Sequence, residues 1–338
     1  ATIGGDGLVQ AAYITETGGP EQIQVGELPN PKPGAGEVLV RVQAASVNPI
    51  DTYIRGGLVP MELPMPFVIG SDLAGEVIEV GEGVSGWTAG DRVWASNQGL
   101  LGRQGTSAEL ACVAADYLHA IPENVSAEDA AAVALVGITA HIGMVLRAKV
   151  QTGETVLVNG GAGGVGSMVV QIGKALDARV IATAGSDDRV AKAKKLGADE
   201  VIHYNTEDVT ARVQALAPDG VNVLWETRRE ADFEWAVPLL AKRGRMVVMA
   251  GREARPVFPV GPFYVKDCEL HGFAMFNYSA VEQRQCGEDL NRWLAEGKLR
   301  ANIDRTLPLA EAAVAHRLQE ENTIHGAGTL AGKIILKL

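Results

Sequence analysis

Gly160-Gly161-Ala162-Gly163-Gly164-Val165-Gly166 is a glycine cluster with an apolar, β-branched run before it, Thr155 to Val158. After it, Val165, Met168, Val169, Ile172 and Leu176 recur at helical spacing. Gly161, Gly163 and Gly166 have the G-x-G-x-x-G spacing of a dinucleotide fingerprint. The first glycine makes a tight turn, the second lets backbone amides approach a pyrophosphate, and the third lets the helix pack close to its strand. The anion then sits at the helix N-terminus, so Ala162, Gly164 and Val165 belong to the same binding surface.

The elements that must hold this turn follow in regular alternation. Arg179 to Thr183, Glu200 to His203, Val221 to Trp225, Met246 to Met249 and Leu270 to Met275 read as strands, and Asp187 to Leu196 and Glu207 to Leu216 read as helices. Ser186 is placed to cap the first of these helices, with Asp187 and Asp188 in its first turn and Lys192, Lys194 and Lys195 in its last. Together with the strand before the glycines, the pattern predicts an α/β, doubly wound parallel sheet of the Rossmann type.

The N-terminal part reads differently. Gln10 to Ile14, Gln22 to Gly26, Glu37 to Ala45, Ala74 to Val80 and Arg92 to Ala95 are short strand candidates among Gly and Pro clusters, with no long helical period. The chain ends with a helical segment, Ala310 to Gln319, and a β-like segment, Lys333 to Leu338. The predicted organisation is a mostly β domain over 8–133, completed by 276–338, around a Rossmann domain over 134–275. At 338 residues, two domains are the natural division.

A net charge of −11 argues against a polyanion such as nucleic acid as the main partner, though it leaves room for a local basic groove. The apolar run Ala130 to Leu146 is short for a membrane span and contains Thr139 and His141, so it reads as a buried helix. Ala1 to Leu8 has neither a basic start nor a long apolar stretch, so no signal peptide is visible. The 3 cysteines, Cys112, Cys268 and Cys286, are scattered and odd in number, which suits free thiols in a reducing, cytoplasmic setting.

Several longer segments go beyond three glycines. They are Gly153-Glu154, Leu157, Ala162-Gly163-Gly164, Gly166, Gln171 and Lys174; Ser46-Val47-Asn48-Pro49-Ile50-Asp51-Thr52-Tyr53-Ile54-Arg55-Gly56-Gly57; and Gly70-Ser71-Asp72-Leu73-Ala74-Gly75. Through these, over nearly its full length, the chain resembles the medium-chain dehydrogenase/reductase superfamily, and within it the zeta-crystallin-type quinone oxidoreductases. The resemblance implies a GroES-like catalytic domain beside the Rossmann domain, with the substrate in the cleft between them. Alcohol dehydrogenases of the superfamily bind zinc with a Cys in the first segment, a His-Glu pair in the second and a later four-Cys lobe. Here Asn48 stands in the Cys place, Ser71-Asp72 replaces His-Glu, and 97–106 contains no Cys, so no metal is expected. Asp72 is read equally as a turn-capping acid or a site residue.

An NAD site places an acid at the tip of the second strand. Here the tip is Ala184-Gly185-Ser186, while Ser186, Arg189 and Tyr204 match positions where the family gathers hydroxyls and a cation around a 2′-phosphate. NADPH is therefore the expected cofactor. The competing reading leaves Ser186 as a helix cap and Arg189 as a surface charge, with Asp187 available to an NAD ribose. By resemblance, Thr139 lies beside the nicotinamide and Lys333 near the cofactor; Gly251 and Phe276 fall at the carboxyl edge of the sheet, where ligands bind. The stretch Trp225-Glu226-Thr227-Arg228-Arg229-Glu230 departs from the small, glycine-rich loop usual in relatives, and its bulk is expected to alter the cofactor cleft; Arg228 and Arg229 read either as contacts to phosphate or substrate or as a solvated charge run, with no catalytic role.

Hydride transfer needs an electrophile near the nicotinamide and donors for the charge arriving on its oxygen. Family position gives that role to Asn48, which also borders the cofactor, and to Tyr53. Neither is a strong acid, which favours a readily reduced quinone as substrate. The alternatives are an enone or enal, reduced at its double bond, and a non-catalytic NADPH-binding protein. The apolar last strand of the sheet would leave an open edge, and a homodimer, as in the family, would cover it.

Overall fold

The computed structural model describes residues 7–338, so residues 1–6, on which the signal-peptide expectation partly rests, lie outside it. In chain order, β1 (Leu8–Ile14), β2 (Gln24–Pro29), β3 (Glu37–Val47), α1 (Pro49–Arg55), β4 (Phe67–Val68), β5 (Asp72–Val80), β6 (Arg92–Ala95), β7 (Leu110–Ala114) and β8 (His119–Ala120) come first. Helix α2 (Ala127–His141) leads to β9 (Thr155–Asn159), α3 (Gly164–Ala175), β10 (Arg179–Ala184), α4 (Asp187–Lys195), β11 (Glu200–His203), α5 (Val209–Leu216) and β12 (Val221–Glu226). Then come α6 (Phe233–Leu239), β13 (Leu240–Val248), α7 (Val260–Tyr264), β14 (Glu269–Gly272) and α8 (Ala280–Ala295), and finally β15 (Ile303–Pro308), α9 (Ala312–Thr323) and β16 (Lys333–Lys337).

The chain forms two compact units: one runs to Leu135 and resumes over Ala301–Leu338, and the other is Val136–Arg300. In the first, β16 pairs antiparallel with β3, which pairs with β5 and β7, so the chain end closes a sheet begun near its start. Strand β3 turns Val38, Val40 and Val42 onto a core with Leu73, Val77, Val93 and Val113. In the second unit, six strands run in the order β11-β10-β9-β12-β13-β14. Their pairings are all parallel, the doubly wound arrangement expected of the βα alternation. Leu157, Ile181, Ile202, Leu224 and Met246 from five of these strands share one core cluster. That burial explains why the strands read as continuous apolar runs.

Asn48-Pro49 opens a helix: Pro49 suits the first helical position, and the Asp51 carboxylate accepts from the Asn48 N–H at 2.8 Å. Two expectations change. The run read as too short for a membrane is one helical stretch, Ala127–Arg147; it is long and apolar enough to cross a bilayer, and 78% of its apolar window is buried inside the fold. The second unit extends to Arg300, where the sequence pattern ends it at 275. The reason is α8, whose Asp289 takes a 2.7 Å bond with His141 and whose Trp293 packs against the same ring.

Candidate functional site

The glycine turn joins β9 to α3. Gly160 has φ +94, and its N–H donates at 3.0 Å to Thr183 Oγ1, which in turn donates to Asn159 Oδ1 at 2.7 Å. A Cβ on Gly166 would run into the Gly160 carbonyl, and one on Gly161 would meet the Ala182 side chain at 2.6 Å. Gly163 is the opposite case: a Cβ there would meet nothing within 4 Å. It is the N-cap of α3 and supplies no side-chain cap to the first amides of the helix. Two glycines are thus required by packing, while the third leaves open a cradle that a side chain would fill. The arrangement fits a dinucleotide pyrophosphate.

One strand over, Ser186 caps α4 by accepting from the Arg189 N–H at 3.3 Å. Tyr204 follows β11 and packs its hydroxyl against Gly185, where a Cβ would collide with it; its N–H donates to Ala184 O at 3.1 Å. The fold thus gathers Ser186, Arg189 and Tyr204 at the carboxyl tips of neighbouring strands. The Asp187 carboxylate is fully exposed and lies 3.5 Å from His203 Nε2. Thr139 is buried in α2, Gly251 follows β13 with φ +87, and Phe276 lies half-buried in the turn Met275–Asn277.

The first unit builds a separate constellation around α1. Asn48, 0% exposed, donates from Nδ2 to Asp72 Oδ2 at 2.9 Å and accepts on Oδ1 from Lys333 Nζ. Lys333 also donates to Val47 O at 2.6 Å, and Ser71 Oγ donates to Asp51 Oδ1 at 2.6 Å. All five side chains are buried. Burial pushes Asp51 up to about 7, with Asp72 adding to the rise and Ser71, the Asn48 N–H and Lys333 opposing it. Burial also raises Asp72, against the pull of Lys333, and lowers Lys333 to about 8, against Asp72 and Asp51. The Asn48 amide is thereby locked in one orientation. At the far end of α1, the buried Arg55 bonds Gly18 O at 3.0 Å, His316 Nδ1 at 3.1 Å and Glu320. Tyr53 sits half-buried between these two anchors.

Sequence reasoning singles out Asn48, Tyr53 and Lys333, and the structure adds that Lys333 bonds the Asn48 amide. That reasoning leaves out Asp51 and Arg55. The Asn-Pro-x-Asp spacing carried a signal for Asp51 as a capping residue; the Arg55 to His316 contact, 261 positions apart, had none. Among the described residues no group of three or more His, Cys, Asp or Glu is arranged to hold a metal ion.

Residues 34–123 match the model of the alcohol dehydrogenase GroES-like domain, and residues 164–294 match that of the zinc-binding dehydrogenases. Human quinone oxidoreductase is 31% identical over 336 residues, covering 99% of each chain. The chain belongs to the medium-chain dehydrogenase/reductase superfamily, in its quinone oxidoreductase branch. Two solved members bear on the cofactor. A mycobacterial protein in complex with NADPH has a TM-score of 0.83 at 32% identity, covering 98% of this chain and 100% of its own. An NAD-dependent alcohol dehydrogenase has a TM-score of 0.86 at 32% identity, covering 97% and 99%. Membership in this branch makes the protein an oxidoreductase of a nicotinamide-dependent family.

Proposed function

We propose that this oxidoreductase is a cytoplasmic, zinc-independent NADPH:quinone reductase. The carrying observation is the tip of β10: no carboxylate stands at Ala184-Gly185-Ser186, the Tyr204 phenol packs on Gly185, and Ser186 caps the adjoining helix on the Arg189 N–H in its first turn. A 2′-phosphate is accepted by hydroxyls and a guanidinium and repelled by a carboxylate. Zinc independence is supported by the donor set, since Asn48 and Ser71 stand where metal ligands would be needed, and Asn48 is already bonded to Asp72 and Lys333.

Bound NADPH supplies a hydride, and with one proton a quinone becomes its hydroquinone. The protein's part is to position and to stabilise charge. Asp72 and Lys333 fix the Asn48 amide, α1 carries Tyr53 on a helix anchored at both ends, and the Tyr53 hydroxyl is the donor assigned to the substrate oxygen. A weak donor suffices because the reduced oxygen of a quinone gains stability from aromaticity.

A homodimer is supported by β14, the terminal strand of its sheet, with Val260, Tyr264 and Val265 exposed on the segment before it. A monomer by light scattering would refute it. The cytoplasmic setting is supported by three cysteines that are all free thiols.

The function is tested by following NADPH oxidation with an ortho-quinone and an enone at matched concentrations. Faster turnover of the quinone is the expected result. Preference for the enone would reassign the protein as an alkene reductase, and no turnover with either would leave it an NADPH-binding protein.

A further inference from the structure

The loop after β12 carries a structure that the glycine turn alone does not require. Glu226, the last residue of β12, is 1% exposed, and a buried carboxylate must be paired. It accepts from Asn159 Nδ2 at 3.0 Å, from the Arg228 N–H at 2.8 Å, and from the Arg228 guanidinium twice, Nε to Oε1 at 3.0 Å and Nη2 to Oε2 at 2.9 Å. Two parallel bonds hold the guanidinium plane in one orientation, where a lysine in its place would remain a mobile point charge.

The place of this plane follows from the sheet. Glu226 lies directly opposite Asn159, the residue that enters the glycine turn, and Thr227 Oγ1 donates to the Asn159 carbonyl. On the other flank, Gly251 packs against the Arg229 carbonyl so closely that any Cβ would collide with it. The loop is therefore pinned on both sides to the carboxyl edge of the sheet, beside the turn. The Arg228 guanidinium carbon lies over the Trp235 ring, 5.7 Å from its centroid, and half of the side chain remains exposed. Arg228 is thus a flat, charge-balanced group with one edge bonded to Glu226, an indole beside it and half of its side chain in solvent.

We propose that Arg228 is the adenine platform of the dinucleotide site, its open guanidinium face stacking on the purine. The inference rests on the reading of the glycine turn as a nicotinamide dinucleotide site. With the pyrophosphate at Gly163 and the 2′-phosphate at Ser186 and Arg189, the adenine falls over the carboxyl edge of the same strands, where Arg228 supplies the flat surface. Because Glu226 balances its charge, Arg228 recognises the purine face and is indifferent to the 2′-phosphate; that choice is left to Ser186, Arg189 and Tyr204.

The test is equilibrium binding of 5′-AMP, 2′,5′-ADP, reduced nicotinamide mononucleotide and NADPH to the full chain. Arg228→Ala is expected to weaken both adenine nucleotides about tenfold and to the same degree, as loss of a stacking partner does. Reduced nicotinamide mononucleotide, which has no adenine, is expected to bind unchanged. The variant leaves Glu226 buried without its cation, so Glu226→Gln/Arg228→Ala is measured beside it. Adenine binding is expected to stay weak in the double variant. Recovery there would assign the effect to the bare carboxylate and overturn the proposal, as would unchanged 5′-AMP binding in Arg228→Ala or a loss confined to 2′,5′-ADP. Failure of the unaltered protein to bind either NADPH or NADH would instead overturn the cofactor reading on which the proposal rests.

Discussion

Lys333 donates from its ammonium to the side-chain oxygen of Asn48, 285 positions earlier in the chain, while the nitrogen of the same amide donates to Asp72 at 2.9 Å. An amide can be flipped at little cost when its surroundings are neutral. Here a flip would set nitrogen against ammonium and oxygen against carboxylate.

Lys333→Met removes the cation and leaves Asp72 and Asp51 buried together. The expected result is a loss of stability of about 3 kcal/mol, as for other buried ion pairs broken from one side. Lys333→Met/Asp72→Asn is expected to recover part of that loss, because only one buried carboxyl, Asp51, then remains. Urea unfolding of the three proteins checks this, and additive losses would show that the two side chains do not act as a pair.

His316 couples folding to acid. Burial, with Arg55 beside it, lowers its folded pKa to about 3, below the ordinary 6.5. Between those values the unfolded chain binds more protons than the folded one, so the contribution is complete above about pH 6.5 and is lost as the pH falls toward 3. His316→Gln keeps an acceptor for Arg55 without a titrating ring. Between pH 7 and 4.5 the unaltered protein is expected to lose about 2 to 3 kcal/mol more stability than the variant. Asp51, raised to about 7, works in the opposite direction but is common to both proteins. Equal losses in paired unfolding curves would remove His316 from the acid response.

Arg189→Ala separates the two nicotinamides. Its Michaelis constant for NADPH is expected to rise about tenfold, the scale of one charge-assisted contact to a phosphate, with little change for NADH. Parallel shifts with both cofactors would place the 2′-phosphate elsewhere.

Gly163 and Gly166 are predicted to fail differently. Gly166→Ala forces a Cβ against the Gly160 carbonyl and is expected to cost roughly 1 to 3 kcal/mol of stability through overpacking. Gly163→Ala meets no protein atom within 4 Å, so its melting temperature is expected to hold while NADPH binding weakens. Thermal melts with a binding titration distinguish them; a Gly163→Ala protein that binds NADPH normally would mean that the pyrophosphate does not rest there.

The Rossmann half was legible because its signals are local. The apolar strands, the Ser186 cap and the glycine spacing each act within a few residues, and they carry the doubly wound parallel sheet; the order of its six strands came from the structure. Family-specific segments single out Asn48 and Tyr53 as the residues proposed to face the substrate. What the tertiary structure alone decided are the partners. Lys333 reaches Asn48 because β16 pairs with β3; His316 and Glu320 reach Arg55 from α9; and Arg228 turns from a solvated charge into a fixed plane because Glu226 is buried beneath it. Spacing along the chain records which residues share a turn of helix or a strand face. It does not record which buried charge needs a counterion from the other end of the molecule, since that need arises only when the fold removes both from water.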